Sequence, residues 1–164
     1  MSYSIILAKE NFKFSGTHFT LLSPTSAERL HGHNYYVQVE IDFKNLEKAE
    51  LGLSFDFNHL KPIIKKLCDE LDEIVLLPGN SKFLKIAKQG KQCVVHFRKR
   101  MYSFPEEETR VLPLTNVTSE ELARYLAERL TKAVGRSVQF QKLRVKVEES
   151  RGQGAAYTIE NGSR

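Results

Sequence analysis

Apolar and polar residues alternate with a period of two in several segments of the chain, which is typical of strands that bury one face. In the clearest segment, Leu143, Val145 and Val147 alternate with charged residues. The same pattern predicts strands over residues 2–9, 11–21, 33–43, 139–149 and 155–160.

Two other segments repeat apolar residues at the spacing of an α-helix. Over residues 58–74, Leu60 and Leu67 belong to one apolar face. Because proline fits only the first helical turn, Pro62 places the start of this helix near Asn58.

A capping box predicts the start of the second helix, with Thr118 as the N-cap and Glu121 three residues later. Gly135 suits the C-terminal end of this helix. Hairpins that lead into two long helices predict an α+β fold with a mostly antiparallel sheet.

The segment between the helices is less regular. It predicts a short helix over Ser81–Lys88, followed by a hairpin of residues 93–97 and 101–104. The hairpin turns around the basic run Arg98–Arg100. This run could contact phosphates, but a solvated hairpin tip is the favoured interpretation, since exposed basic runs are common.

The length of 164 residues predicts one domain over residues 1–164. Two cysteines, Cys68 and Cys93, exclude a disulfide scaffold. No signal peptide or membrane-spanning run is visible, so we expect a cytoplasmic protein without a membrane partner. The net charge of +5 suits a nucleic acid or a small phosphorylated substrate. Acidic residues interleave with the basic ones and no recognition motif appears, so a nucleic-acid partner is not expected.

His31-Gly32-His33 is the first motif that carries chemistry. Residues i and i+2 of a strand point to the same face, so both imidazoles can converge on one ion. His18 ends an earlier predicted strand and would join them if the two strands pair. Three histidines with an open position are the catalytic form of a zinc site. The alternative is a pair of half-exposed histidines without a metal.

Two carboxylates extend this picture. Glu149 falls on the same, inward-facing side of its strand as Val145 and Val147. A carboxylate buried there needs a partner. The alternative is that the strand ends at this point and the side chain is not buried. Glu28 lies in a short loop directly before His31. A loop glutamate is usually solvated, but this one lies close to the candidate metal site.

Six motifs follow one another along the chain, and their order and spacing matter more than any one of them. They are Phe14-x-x-x-His18, Leu30–Tyr35, Gly52–Lys61, Leu71-Asp72, Thr118–Ala123 and Val145–Glu149. Together they resemble the 6-pyruvoyltetrahydropterin synthase family, which includes the bacterial 6-carboxytetrahydropterin synthases. The resemblance covers residues 12–77 and 116–160.

The resemblance implies a tunnelling fold (T-fold), in which a four-stranded antiparallel sheet carries two helices on one face. It implies that subunits join edge to edge into a homohexamer of two stacked trimers. Compared with family members of minimal length, residues 79–115 would be an insertion.

The resemblance also implies a site. Zinc would be the cofactor, and a small pterin would be the partner. The implied zinc ligands are His18, His31 and His33. The implied pterin-binding residues are Glu149, which anchors the ring, and Thr118 and Ser119 near a subunit interface.

The chain departs from the family pattern at two places. Ala27 stands where members usually carry a proton-abstracting cysteine, and Glu28 follows it, as in the type III branch, where a glutamate replaces the cysteine. That branch cleaves 7,8-dihydroneopterin triphosphate to 6-hydroxymethyl-7,8-dihydropterin. The usual Leu-Asp-His triplet reads Leu71-Asp72-Glu73, so the acid/base histidine is missing.

We therefore predict a zinc-dependent pterin lyase with Glu28, Asp72 and Glu73 as catalytic residues. One alternative is 6-pyruvoyl- or 6-carboxytetrahydropterin synthase activity with an altered base. The other is a zinc- and pterin-binding homologue without turnover.

Overall fold

The computed structural model describes residues 3–46, 48–53, 55–135 and 138–161. Its strands and α-helices, in chain order, are β1 (Tyr3–Leu7), β2 (Lys13–His18), β3 (His31–Phe43), α1 (Phe57–Asp69), β4 (Ile74–Pro78), β5 (Lys85–Gln89), β6 (Gln92–Phe97), β7 (Arg100–Pro105), β8 (Thr109–Leu112), α2 (Ser119–Val134), β9 (Lys142–Ser150) and β10 (Gln153–Glu160). Within these ranges, no helix has the length and apolar character needed to cross a membrane.

Seven strands form one mixed sheet in the order β10-β9-β3-β2-β4-β8, with β1 paired to β3. The antiparallel neighbours β10, β9, β3 and β2 correspond to predicted strands, and the α+β class is confirmed. The sheet is wider than the expected four strands, because β4 runs parallel to β2 and β8 runs parallel to β4.

Strand β4 escaped prediction because both of its faces are apolar. Leu76 is buried in the main core, whereas its neighbour Leu77 is buried in a second core. A strand that is covered on both faces forms a continuous apolar run instead of an alternating pattern. The predicted helix over residues 58–74 was therefore too long, since α1 ends at Asp69 and β4 begins at Ile74.

The main core lies between the large sheet and the two helices. Inward side chains of β3 and β9, such as Val39 and Val145, pack in one cluster with Leu60 of α1 and Leu122 of α2. All four side chains are buried. The face of β3 that carries Val39 also carries the histidines, so the core fixes the direction in which the histidines point.

The start of α2 agrees with the predicted N-cap. The Thr118 hydroxyl accepts a hydrogen bond from the backbone N–H of Glu121 at 3.3 Å. The Glu121 carboxylate accepts from the backbone N–H of Thr115 at 3.1 Å, so it reaches further back than a capping box requires. Gly135 ends the helix with a φ of 55°, as its position predicts.

Strands β5, β6 and β7 form a separate antiparallel sheet, called the small sheet below. The predicted hairpin is confirmed as β6 and β7, which turn at Arg98 and Lys99. The predicted helix over Ser81–Lys88 is wrong, because Lys85 begins strand β5 and pairs with β6. Ile86 of β5 packs against the second core, and the neighbouring side chains on either side of it are exposed.

The second core joins the small sheet to the loop between β2 and β3. Val95 and Phe97 of β6 pack with Phe19 and Ala27 of this loop and with Leu77 of β4. Because these side chains are buried, the loop is fastened to the small sheet along its apolar side.

Candidate functional site

The paired ends of β2 and β3 bring three histidines together. His18 lies opposite His31 in the antiparallel register, and His33 follows two residues later on the same face. Each ring offers one ligand atom, and these atoms lie within 4.8 Å of one another. The predicted strand pairing is confirmed, and the three rings converge. Their role as metal ligands stays a prediction.

Backbone carbonyls orient two of these rings. Nδ1 of His18 lies 3.1 Å from the carbonyl of Val117, and Nδ1 of His31 lies 2.7 Å from the carbonyl of Arg29. A carbonyl can only accept, so both Nδ1 atoms donate and both Nε2 atoms keep a lone pair. Histidines that bind metals are usually oriented by such a bond from the other ring nitrogen.

The environment of His18 favours its neutral form. Its side chain is fully buried, and this burial, followed by the neighbouring ring of His31, lowers its pKa from the ordinary value. A neutral imidazole is the form that binds a metal ion. The residues present therefore suit a divalent metal with nitrogen ligands, such as zinc.

Glu149 lies against the same ring atoms. Its Oε1 atom is 3.5 Å from Nε2 of His18 and 3.4 Å from Nε2 of His33. The buried Tyr35 hydroxyl lies 2.9 Å from Nε2 of His18 and 3.4 Å from the same carboxylate oxygen. Burial and Glu149 raise the pKa of Tyr35 far above its ordinary value, so this hydroxyl remains a donor.

Glu28 lies beside His31, at a more exposed part of the triad. Its Oε2 atom is 3.9 Å from Nε2 of His31, and its side chain is 41% exposed. The loop fixes its backbone, because its N–H donates to the carbonyl of Thr20 at 2.9 Å. The preceding Ala27 is buried in the second core, so position 27 packs against apolar side chains whereas position 28 borders the triad.

Asp72 and Glu73, although adjacent in sequence, have different surroundings. The Asp72 carboxylate accepts a hydrogen bond from the backbone N–H of Ser15 at 2.7 Å and so fastens the turn between α1 and β4 to β2. Glu73 has a φ of 55°, a left-handed conformation that is uncommon for glutamate. Glu73 lines an open depression of about 310 Å³ together with Gly32 and His33. Of the two carboxylates, Glu73 is the one that shares this depression with His33.

Thr118 and Ser119 lie at the start of α2, directly after Val117. Since the Val117 carbonyl receives the bond from His18, this helix start borders the triad. The Thr118 hydroxyl caps the helix, and Ser119 is 9% exposed. Their predicted contact with a pterin remains a prediction.

A family model described as 6-pyruvoyl tetrahydropterin synthase matches residues 7–160. The chain belongs to this family. Members of the family are lyases that act on pterins, so the predicted enzyme class is confirmed.

Curated relatives from archaea cover most of this 6-pyruvoyl tetrahydropterin synthase family member. A protein of Methanocaldococcus jannaschii, provisionally named 6-carboxy-5,6,7,8-tetrahydropterin synthase, is 33% identical over 148 residues, which is 88% of each chain. A protein of Pyrococcus horikoshii with the same provisional name is 31% identical over 134 residues, or 81% of this chain and 78% of that protein.

Solved structures confirm the T-fold. The 6-pyruvoyl tetrahydropterin synthase of Plasmodium vivax superposes with a TM-score of 0.91 at 25% identity, covering 98% of this chain and 99% of that one. The enzyme of Plasmodium falciparum gives a TM-score of 0.90 at 27% identity over the same shares. Two further structures of the P. vivax protein replace a glutamate, described as a catalytic residue of that protein, by alanine and by cysteine.

Neither cysteine of this family member lies near the triad. Cys68 is buried in the main core, where desolvation raises its pKa to about 12. Cys93 is buried in the second core, and desolvation raises its pKa as well. The remaining histidines also lie elsewhere, since His59 packs against Phe55 and His96 is exposed on β6.

Two residues near the site were not predicted from the sequence. Tyr35 touches both His18 and Glu149, and its inward parity with His31 and His33 could have revealed it. Arg100 donates to the backbone carbonyl of Glu28 at 2.6 Å, although the two residues are 72 positions apart. No local pattern in the sequence could have indicated that contact.

Proposed function

We propose that this protein is a zinc-dependent lyase that cleaves the side chain of 7,8-dihydroneopterin triphosphate, or of a related dihydropterin, toward 6-hydroxymethyl-7,8-dihydropterin. The observation that carries the proposal is the Glu28 carboxylate, 3.9 Å from Nε2 of His31. Ala27, at the usual cysteine position, packs away in the second core. The catalytic glutamate of the P. vivax enzyme supports the same assignment.

His18, His31 and His33 would hold the zinc ion through their Nε2 atoms. When bound, zinc would act as a Lewis acid that polarises a substrate hydroxyl. Neighbouring groups would hold the histidine rings in position. The Val117 carbonyl keeps His18 in place through Nδ1, and the Arg29 carbonyl keeps His31 in place in the same way.

Glu28 is the general base of this proposal. Its carboxylate takes the proton from the hydroxyl on the second side-chain carbon, and water can receive that proton because the carboxylate is 41% exposed. The bond between the first and second side-chain carbons then breaks, the distal carbons leave as an aldehyde with the triphosphate, and the electron pair stays on the first carbon. Glu73, which borders the same depression as His33, is the group that returns a proton to the product. Asp72 contributes by holding this turn against the Ser15 backbone.

Glu149 anchors the pterin in this proposal. A carboxylate can accept two charge-assisted hydrogen bonds from the guanidine-like edge of the ring, which fixes the position of the ring and its orientation. Glu149 is held by Tyr35 and is 24% exposed, so it is less solvated than Glu28. Thr118 and Ser119, at the adjacent helix start, would contact the same ring.

A homohexamer of two stacked trimers belongs to the same proposal. The large sheet ends at β10 on one side and at β8 on the other. Open sheet edges favour closure by further strands, which neighbouring subunits can supply. Light scattering of the purified protein should give the mass of six chains, and the mass of one chain would contradict this assembly.

The product distinguishes this function from its alternatives. Purified protein, with its zinc content measured, is incubated with 7,8-dihydroneopterin triphosphate, and the product is identified by mass. We expect 6-hydroxymethyl-7,8-dihydropterin, and chelator-treated protein is the control. A 6-pyruvoyl product, or a 6-carboxy product, would favour the second candidate, which the names of the archaeal relatives support. Tight pterin binding without any product would instead indicate a non-catalytic homologue.

A further inference from the structure

The basic run at the tip of the small sheet contacts the loop that carries Glu28. Nη1 of Arg100 donates to the backbone carbonyl of Glu28 at 2.6 Å. Nε of Arg98 donates to the backbone carbonyl of Pro24 at 3.3 Å. The hairpin tip is exposed, as expected, but both guanidinium groups are also bonded to the neighbouring loop.

The turn holds Arg98 in a strained backbone conformation. Arg98 has a φ of 55°, in the left-handed region that favours glycine or asparagine in tight hairpin turns. Such strain persists only where surrounding contacts hold it, and it concentrates at functional sites. Here the bond from Arg98 to Pro24 is one of those contacts.

The backbone of Glu28 is held from both sides. Its N–H donates to the carbonyl of Thr20, and its carbonyl accepts from Arg100. The side chain before it, Ala27, is buried against the small sheet in the second core. The carbonyl after it, that of Arg29, orients the ring of His31. The Glu28 side chain is left as the exposed part of an otherwise fixed residue.

We infer that Arg100 is a positioning residue for Glu28 and that the small sheet, which carries Arg100 on β7, holds it in place. This inference rests on the proposed role of Glu28 as the general base. The contact joins a charged donor to a backbone carbonyl, so it places the whole residue without neutralising the carboxylate. A general base works only within hydrogen-bond reach of its proton, so small displacements of Glu28 affect turnover.

The first test is kinetic and uses the zinc-loaded protein. Arg100→Met should lower kcat by about 10- to 100-fold, the range expected when a catalytic group is misplaced by ~1 Å. KM and zinc content should stay unchanged, since the histidines and Glu149 are untouched. Arg100→Lys, which keeps a cationic donor, should restore part of kcat. Lys99→Met, on the same exposed turn, is the matched control and should keep the wild-type kcat.

A double variant tests whether Arg100 acts through Glu28. In a Glu28→Ala background, Arg100→Met should cause no further loss of kcat. An equal loss in both backgrounds would overturn the inference, because Arg100 would then act elsewhere. Wild-type kcat in Arg100→Met would overturn it as well. Full turnover in Glu28→Ala alone would instead refute the base assignment, and with it any positioning of that base.

Hydrogen exchange tests the contact without any turnover. The amides of residues 20–30 should exchange faster in zinc-loaded Arg100→Met than in the wild type, because Arg100 no longer holds the loop. Lys99→Met should leave exchange unchanged. Equal exchange in all three proteins would overturn the inference even if the wild type turned out to have another substrate.

Discussion

The candidate site has two halves that are built differently. His18 and Glu149 belong to the half formed by the large sheet, where His18 is fully buried and Glu149 is 24% exposed. His31 and Glu28 belong to the half bordered by the loop, where their side chains are 37% and 41% exposed. Glu149 thus lies against His18 and also against His33, whereas Glu28 lies against His31 alone among the three histidines, and the first half is the more enclosed.

This difference in exposure suits two different roles for the two glutamates. In the enclosed half, Tyr35 and the core fix the carboxylate, which is what an anchor for a ring requires. In the open half, only the backbone of Glu28 is fastened, and its side chain faces water, which is what a proton-exchanging base requires. A loss of kcat from substitutions in the open half, and a loss of pterin affinity from substitutions in the enclosed half, would support this division.

The largest effect is expected at the open half. Glu28→Gln removes the basic carboxylate but keeps its size, so kcat should fall by about 10²- to 10⁴-fold, the usual contribution of a general base. The affinity for the pterin, measured by fluorescence titration, should stay close to that of the wild type. A variant that loses affinity while keeping kcat would reverse the roles that we assign to the two carboxylates.

The two histidine variants should differ in folding stability, although His18 and His31 are both proposed as metal ligands. His18→Ala should lower the free energy of unfolding of the chelator-treated protein by about 2–4 kcal/mol, because it empties a buried site and removes partners of Tyr35 and Val117. His31→Ala, at a partly exposed site, should cost only about 0.5 kcal/mol. Urea unfolding measures both values.

Zinc content supplies the control for this pair. Both variants should lose bound zinc, since each removes one of three proposed ligands. If His31→Ala keeps its zinc, the exposed histidine does not belong to the metal site. If the two variants are equally stable without metal, the contrast between the enclosed half and the open half is wrong.

Glu149→Gln tests the enclosed half. A charge-assisted hydrogen bond contributes about 1.5–3 kcal/mol, so the Kd for the pterin should rise by about 10- to 100-fold. The kcat at saturating substrate should change much less than in Glu28→Gln, because Glu149 is assigned to binding and not to proton transfer. A large loss of kcat with unchanged Kd would place Glu149 in the chemistry instead.

Local patterns were enough to predict much of the fold. The cap at Thr118 depends on neighbours within one helical turn, and the alternation at Val145 depends on one buried face. β4 could not be found in this way, because Leu76 and Leu77 are covered by two different cores. The helix predicted over Ser81–Lys88 failed for a related reason, since β5 is decided by its pairing with β6.

The same distinction between local pattern and tertiary packing applies to the candidate site. The histidine pair and the closeness of Glu28 to His31 follow from sequence adjacency on and before one strand. The approach of Glu149 needed both the strand parity and the pairing of β3 with β9. The contact from Arg100 depends on how a distant sheet packs over a loop, so it could only be read from the three-dimensional structure.

The smallest expected effect is a change at Tyr35, and it compares the enclosed half in the metal-free protein with the same half in the zinc-loaded protein. In metal-free protein, the Tyr35 hydroxyl donates to Nε2 of His18, so Tyr35→Phe should cost about 1 kcal/mol of unfolding free energy. With zinc on that nitrogen, the hydroxyl can donate only to the Glu149 carboxylate, which lies farther away at 3.4 Å. The same change should therefore cost less in zinc-loaded protein. Urea unfolding with and without a chelator measures both costs, and Tyr102→Phe in the second core is the control. Equal costs in the two states would mean that Nε2 of His18 is not a metal ligand.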